Sequence, residues 1–285
     1  MATITAQMVK DLREKTGAGM MDCKKALVAV DGDPAKAVDW LRQKGMAKAA
    51  TKSGRATAEG LISFAQKGQV AALASLSCET DFVARGDKFK ACVQDLALTV
   101  IEKDPKDVSE LETLKGDEIK QLIATIGENM KIGQFARHEL KSETETLGQY
   151  IHANGKIGVL VWASTDSAKT CEHEETKTLL KELAMQVAAS NPLALNGDSL
   201  DPKAIEHERE VYLEKARADG KPENIVQKIA EGAVQKFKKS VCLLDQPYIR
   251  EEKKTISELI REVEKKVGGK ITVEGYSRLQ LTSEE

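Results

Sequence analysis

The stretch GLISFAQKGQVAALASLS, Gly60 to Ser77, carries two β-prone runs separated by Lys67 and Gly68, the pattern of two strands around a turn. It has an echo in LGQYIHANGKIGVLVWAS, Leu147 to Ser164, which again reads strand, turn, strand, with Asn154-Gly155 as the hairpin signal. Helical periodicity follows each pair. After the first, Phe89, Cys92, Val93, Leu96 and Val100 recur at helical intervals over Asp87 to Lys103. A second helix is expected near Asp107 to Ile126, and KIGQFARHEL supplies a third strand. After the second pair, LLKELAMQVAAS reads as a helix and SVCLLDQPYI as a returning strand. The fold expected is α+β: two related subdomains with small antiparallel sheets. Two copies at an irregular period are too few for a solenoid.

Working outward, the N-terminal segment reads as three short helices. Ala6 to Lys15 comes first, TGAG (Thr16 to Gly19) breaks it, and Met21 to Val30 follows with Cys23, Ala26, Leu27 and Val30 on one face. Asp33 suits an N-cap, Pro34 the first helical position and Gly45 the stop. AKAATKSGRATAEG then reads as a linker. Further on, Pro202 to Ala218 and Glu223 to Lys239 are helical patterns broken by DGKP. In an antiparallel hairpin, Ile205, Tyr212, Leu213 and Ala216 would meet Ile225, Ile229, Ala233 and Phe237. Thr255-Ile-Ser-Glu258 is a capping-box pattern opening a helix to Lys266, and KITVEGYSRLQL alternates like a closing strand. The expected domains are 1–55, 56–142, 143–199 with 240–285, and an inserted hairpin at 200–239.

Composition narrows the functional classes. Of 285 residues 41% are hydrophobic, ample for a core, and no apolar run approaches the ~20 residues of a membrane span. MATITAQMVKDLREK has no apolar h-region and carries early acids, so neither a secretory signal nor a transit peptide is expected. Five scattered cysteines with no CxxC pair fit reduced thiols in the cytoplasm. Cys171 and His173 in TCEHEE are two ligands at most, so no metal site is expected. The net charge of −2 gives no broad nucleic-acid footprint, although the first 55 residues hold eleven Lys and Arg against six Asp and Glu. With 4% aromatic residues, base-stacking platforms are not expected. A protein partner fits that basic segment better.

No catalytic signature stands out. TGAG lacks the trailing Gly-Lys-Ser/Thr of a P-loop and follows a helix rather than a strand; GxGxxG, HExxH and GxSxG do not occur. Two stretches carry open readings. In TGAGMMDCKKAL, Met20 and Met21 are either gap-fillers between helices or an adaptable contact surface beside lysines. In CETDFVARGDKF, Phe82 and Val83 either pack under the next helix as a staple or project from a strand-to-helix loop into a partner's pocket. Composition alone favours packing in both.

These two stretches, extended to LREKTGAGMMDCKKAL and CETDFVAR, resemble the long signatures of the elongation factor Ts family. IGENM (Ile126 to Met130), GQYIHANGKIGVLV and AMQVAASNP are similar to further family segments, and DGKPENIVQKIAEG to the family's hairpin tip and second arm. The resemblance runs in order from residue 4 to about 281. It implies an N-terminal ubiquitin-associated-like domain, a core of two related subdomains and a coiled-coil hairpin that some members use to dimerise. It implies no enzyme activity and no cofactor, but a partner, elongation factor Tu in its GDP-bound and nucleotide-free forms, from which GDP release is promoted. Thr80, Asp81, Phe82 and Val83 would reach the partner's nucleotide domain and disturb Mg²⁺ coordination there. Met20, Met21 and Lys24 would touch the same domain, Ile126 and Gly127 would support the Asp-Phe contact, and His152 would face another domain. Two departures are expected: LQLTSEE leaves no length for the helical module that closes some members, and TDSAKTCEHEETK looks like an expanded surface loop. The alternative, motivated by the basic N-terminal segment, is a ubiquitin-associated-type adaptor or an RNA-binding translation accessory protein.

Overall fold

The computed structural model describes residues 3–281. The readings that concern Met1, Ala2 and the last four residues of LQLTSEE lie outside them. The described chain is α+β and divides into two compact units. Residues 3–138, 153–156 and 279–281 form one; Glu139–His152 and Ile157–Arg278 form the other.

The first unit opens with α1 (Ala6–Thr16), α2 (Met20–Ala29) and α3 (Pro34–Ala50). Thr5 caps α1, and Gly17 ends it at φ +66°, a left-handed conformation that glycine adopts without steric cost. Asp33 caps α3 through the amides of Ala35 and Lys36, with Pro34 in the first turn. Val9, Leu12, Cys23, Ala26, Leu27 and Ala37 form the small core of this bundle. Gly45 does not stop α3. It is buried inside the helix, where a Cβ would lie 3.1 Å from the Cβ of Ala124, so this glycine permits helix contact and the first residues of the expected linker stay helical.

Next come β1 (Glu59–Lys67), β2 (Val70–Cys78), α4 (Asp81–Arg85), α5 (Asp87–Lys103), α6 (Val108–Ile126) and β3 (Met130–Glu139). β1 and β2 pair antiparallel from Glu59↔Cys78 to Lys67↔Val70, with the turn at Gly68 and Gln69, and the sheet order is β1-β2-β3. The central strand β2 is almost wholly buried, since helices and neighbouring strands cover it. Phe89, Val93, Leu96 and Val100 of α5 join Leu76, Leu111, Ile119, Ile123 and Ile132 in one core.

The second unit contains β4 (Glu145–His152) and β5 (Ile157–Thr165), paired from Glu145↔Ser164 to His152↔Ile157. The turn is wider than the two-residue Asn-Gly hairpin expected: Ala153, Asn154 and Gly155 all take positive φ. α7 (Ala168–Glu172) and α8 (Glu174–Ser190) follow, then α9 (Pro202–Ala218) and α10 (Glu223–Val241) as the antiparallel hairpin. β6 (Pro247–Tyr248), β7 (Glu251–Thr255), α11 (Ile256–Val267) and β8 (Ile271–Gln280) complete the chain. The Thr255–Glu258 capping box is present at the start of α11.

Three expectations are corrected here. The polar TDSAKTCEHEETK is not a surface loop: most of it lies in α7 and α8, with Thr170, Cys171 and Thr176 buried. Cys171 Sγ donates to the Glu145 carbonyl and His173 Nδ1 accepts from the Glu175 amide. SVCLLDQPYI does not return to the sheet. It turns through a 3₁₀ segment into the short β6–β7 pair, and β8 supplies the third strand, in the order β4-β5-β8. In the hairpin, the α10 face turned inward is Val226, Ala230, Ala233 and Val234, whereas Ile225 and Ile229 are exposed. Small residues permit closer helix approach than isoleucine, and Ala216 is the buried residue opposite on α9.

Candidate functional site

Thr80 ends the extended backbone after β2 and caps α4, its Oγ1 accepting from the Val83 amide at 3.4 Å. The Thr80 hydroxyl in turn donates to Glu128 Oε1 at 2.7 Å, and the Thr80 amide donates to Glu128 Oε2 at 3.0 Å. The neighbouring Glu79 makes the reciprocal bond, accepting the Asn129 amide at 2.6 Å and pairing with Arg55 at 3.4 Å. Asn129, buried, donates its side-chain amide to the carbonyls of Arg55 (2.7 Å) and Ser53 (3.3 Å). Two turns, Glu79–Thr80 and Glu128–Asn129, are thereby clasped together.

The short helix so fixed has two unlike faces. Ala84 is buried and Val83 packs on the core of the first unit, while Phe82 is 81% exposed. Asp81 pairs with Arg85 one turn on, at 2.9 Å. Gly86 closes α4 and opens α5 in the same residue, its amide bonding the Val83 carbonyl at 2.9 Å. The staple reading is therefore right for Val83 and wrong for Phe82. Beneath, Cys78 donates its thiol to the Thr80 carbonyl, and burial, with the Glu128 charge nearby, pushes that thiol up to about 12. It is a structural thiol.

Ile126, half-buried, and Gly127 close α6 immediately before the clasp. Gly127 takes φ +98°, and its carbonyl accepts a hydrogen bond from Lys52. These two residues belong to the same local construction as Thr80–Val83. Met20 and Met21 stand at the start of α2, 56% and 64% exposed, with Lys24 exposed one turn on. Cys23, Ala26 and Leu27 of α2 are buried while both methionine side chains reach solvent, so the methionines are not gap-fillers. Asp22 bonds Lys48 at 2.9 Å, and that bond holds its carboxyl below the usual range. His152 lies in the second unit, exposed at the end of β4, with Nδ1 2.9 Å from the Tyr150 hydroxyl.

Two sets of residues escaped sequence reasoning. Val28, exposed and on the side of α2 that carries Met21 and Lys24, was hidden because its neighbours read as a core face. Glu128 and Asn129 lie in IGENM, where a paired acid and amide after a helix-ending glycine was the available signal. Among the described residues there is no group of three or more His, Cys, Asp and Glu placed to hold a metal, and no helix long and apolar enough to cross a membrane.

Comparison with known proteins places this chain in a family. The family model described as elongation factor TS matches residues 79–282. An elongation factor Ts from Desulfovibrio desulfuricans is 60% identical over the whole of both chains. One from Nitratidesulfovibrio vulgaris (strain DP4) is 51% identical, covering 98% of this chain and 96% of its own. One from Symbiobacterium thermophilum is 42% identical over 98% of this chain and 92% of its own. The chain belongs to the elongation factor Ts family of translation elongation factors.

Proposed function

We propose that this translation elongation factor binds elongation factor Tu·GDP and promotes release of GDP, after which GTP enters. The observation that carries the reading is Phe82: a large ring left 81% exposed on a short helix whose other face is locked into the core. An exposed aromatic on a rigid mount suits insertion into a partner's pocket, where aromatic anchors supply much of the binding energy. Asp81 beside it brings a carboxylate to the same place. Mg²⁺ requires near-ideal octahedral geometry and bridges phosphate oxygens in GTPases, so displacing its supporting residues weakens nucleotide binding without breaking a bond. The protein is in this sense not an enzyme; it changes an affinity.

Met20, Met21 and Lys24, joined by Val28, form a second contact from the N-terminal, ubiquitin-associated-like helices. Methionine side chains adapt to a partner's surface at little cost. His152 is assigned to a further domain of the GTPase, and Ile126 and Gly127 support the Asp-Phe pair. The reading places the protein in the cytoplasm, without nucleic-acid contact. The outward-facing Val211, Ile225 and Ile229 of the coiled-coil-like hairpin support pairing with a second copy, which sedimentation of the free protein tests.

Linkage constrains the action. If the factor weakens GDP binding by some ratio, GDP weakens binding of the factor by the same ratio. The complex with nucleotide-free partner is therefore tight and that with the loaded form loose. The experiment is release of labelled GDP from elongation factor Tu with and without this chain. Faster release supports the reading, and an unchanged rate at saturating chain refutes it.

A further inference from the structure

We infer that Glu128 is a positioning residue for exchange: its carboxylate sets the orientation of α4, and through α4 that of Phe82, without itself meeting the partner. The inference rests on the exchange reading above and deepens it. α4 has five residues, far below the length at which a helix holds itself together in water. Its direction is therefore imposed from outside. The groups that impose it on its N-terminal side are few: Glu128 takes both the amide and the hydroxyl of Thr80, and Cys78 bonds the Thr80 carbonyl. The Thr80 hydroxyl, with its proton committed to Glu128, presents a lone pair to the Val83 amide. Donation to a carboxylate and capping of the helix are thus linked in one side chain.

The second half of the clasp reaches the other proposed contact surface. Asn129 holds the carbonyls of Ser53 and Arg55, and Lys52 bonds the carbonyl of Gly127. The turn from Gly127 to Asn129 therefore fixes both the mount of Phe82 and the segment leaving α3, the helix that packs against α2 with its exposed Met20 and Met21. Glu79, on the β2 side, completes the reciprocity by accepting the Asn129 amide. A core that needed only to bury Leu76, Phe89 and Ile123 would not need this polar clasp above it. What the clasp adds is a defined direction for a ring that is 81% exposed and has little packing of its own.

The test is GDP release from elongation factor Tu, titrated with full-length chain to separate the maximal rate from the half-saturating concentration. Misplacing a group by about 1 Å commonly costs up to ~100-fold, so Glu128→Ala is expected to lower the maximal rate by tenfold or more, about the range of such misplacements. Glu128→Gln should restore most of that rate, because its amide oxygen accepts from Thr80 N and its NH₂ donates to the hydroxyl oxygen. Thr80→Val, which removes the hydroxyl bond to Glu128 and the cap on Val83 but keeps the amide bond, should reproduce part of the loss if Glu128→Ala folds poorly, with thermal melting recorded for each. In a Phe82→Ala background, Glu128→Ala should cost nothing further, since it acts through that ring. An unchanged maximal rate in Glu128→Ala, or an undiminished loss in the Phe82→Ala background, overturns the inference alone. Failure of the unaltered chain to speed release overturns the exchange reading and this inference together.

Discussion

Replacing Phe82 by alanine separates a surface anchor from a core residue by magnitude. A fully buried phenylalanine cut to alanine costs about 3–5 kcal/mol of stability. Phe82 is 81% exposed, so about a fifth of that, at most ~1 kcal/mol, is at stake within the chain. Alanine also suits the helix, and for a protein of this size such a loss moves Tm by roughly 2–4 °C. If the ring instead enters a pocket of the GTPase during exchange, its truncation costs at least about 2 kcal/mol, the scale of an interface hot spot. At ~1.4 kcal/mol per decade that is about a 30-fold slower release of GDP. The assay is stopped-flow release of fluorescent GDP from elongation factor Tu, paired with thermal melting of the same preparation. Phe82→Leu, keeping part of the apolar surface, should fall between. A melting temperature lowered by tens of degrees alongside the rate, or a rate that does not change, would refute the reasoning.

Gly148→Ala is expected to destabilise the second unit by about 1–3 kcal/mol, because a Cβ there would meet the backbone carbonyl of Leu180 at 2.5 Å; calorimetric unfolding checks it. Thr255→Ala removes one partner of the capping box on α11 and should cost about 1 kcal/mol, read from the same melts. In the native protein Cys78, with its thiol at about 12, and Cys92, pushed by burial to about 11, should react slowly with a disulfide reagent at neutral pH and rapidly once denatured. The Cys78 thiol sits above its ordinary value of 9.0, so the native state holds that proton more tightly than the unfolded chain does. The stability this contributes is complete below pH 9 and is lost as pH rises towards 12, a decline that Cys78→Ala should flatten.

Local signals settled most of the elements. Pro34 after a capping Asp33, the Thr255–Glu258 box and the two β-prone runs of Gly60 to Ser77 about a glycine turn act within a few residues of chain, and each produced the element it announced. The helix over Asp87–Lys103 and the one ending at Ile126 were legible because their apolar spacing spans several turns. Family likeness, carried by TGAGMMDCKKAL and CETDFVAR, was legible too, since long motifs do not need coordinates.

What the sequence left open depended on partners distant in the chain. Gly45 resembles a helix stop until Ala124 of α6 is seen lying against it. Ile225 and Ile229 look like a seam until the smaller Val226, Ala230 and Ala233 are found turned inward. TDSAKTCEHEETK is polar enough for a loop, yet Thr170 and Thr176 are buried with their hydroxyls satisfied by Asp166 and by the Thr170 carbonyl, a cost that only tertiary bonds can offset. The same holds at the site. By itself, the sequence determined that a phenylalanine and a carboxylate stand between a strand and a helix. Only the tertiary structure decided that the ring faces outward, because burial is fixed by neighbours some 48 residues away, where Glu128 grips Thr80 and turns α4 to present it.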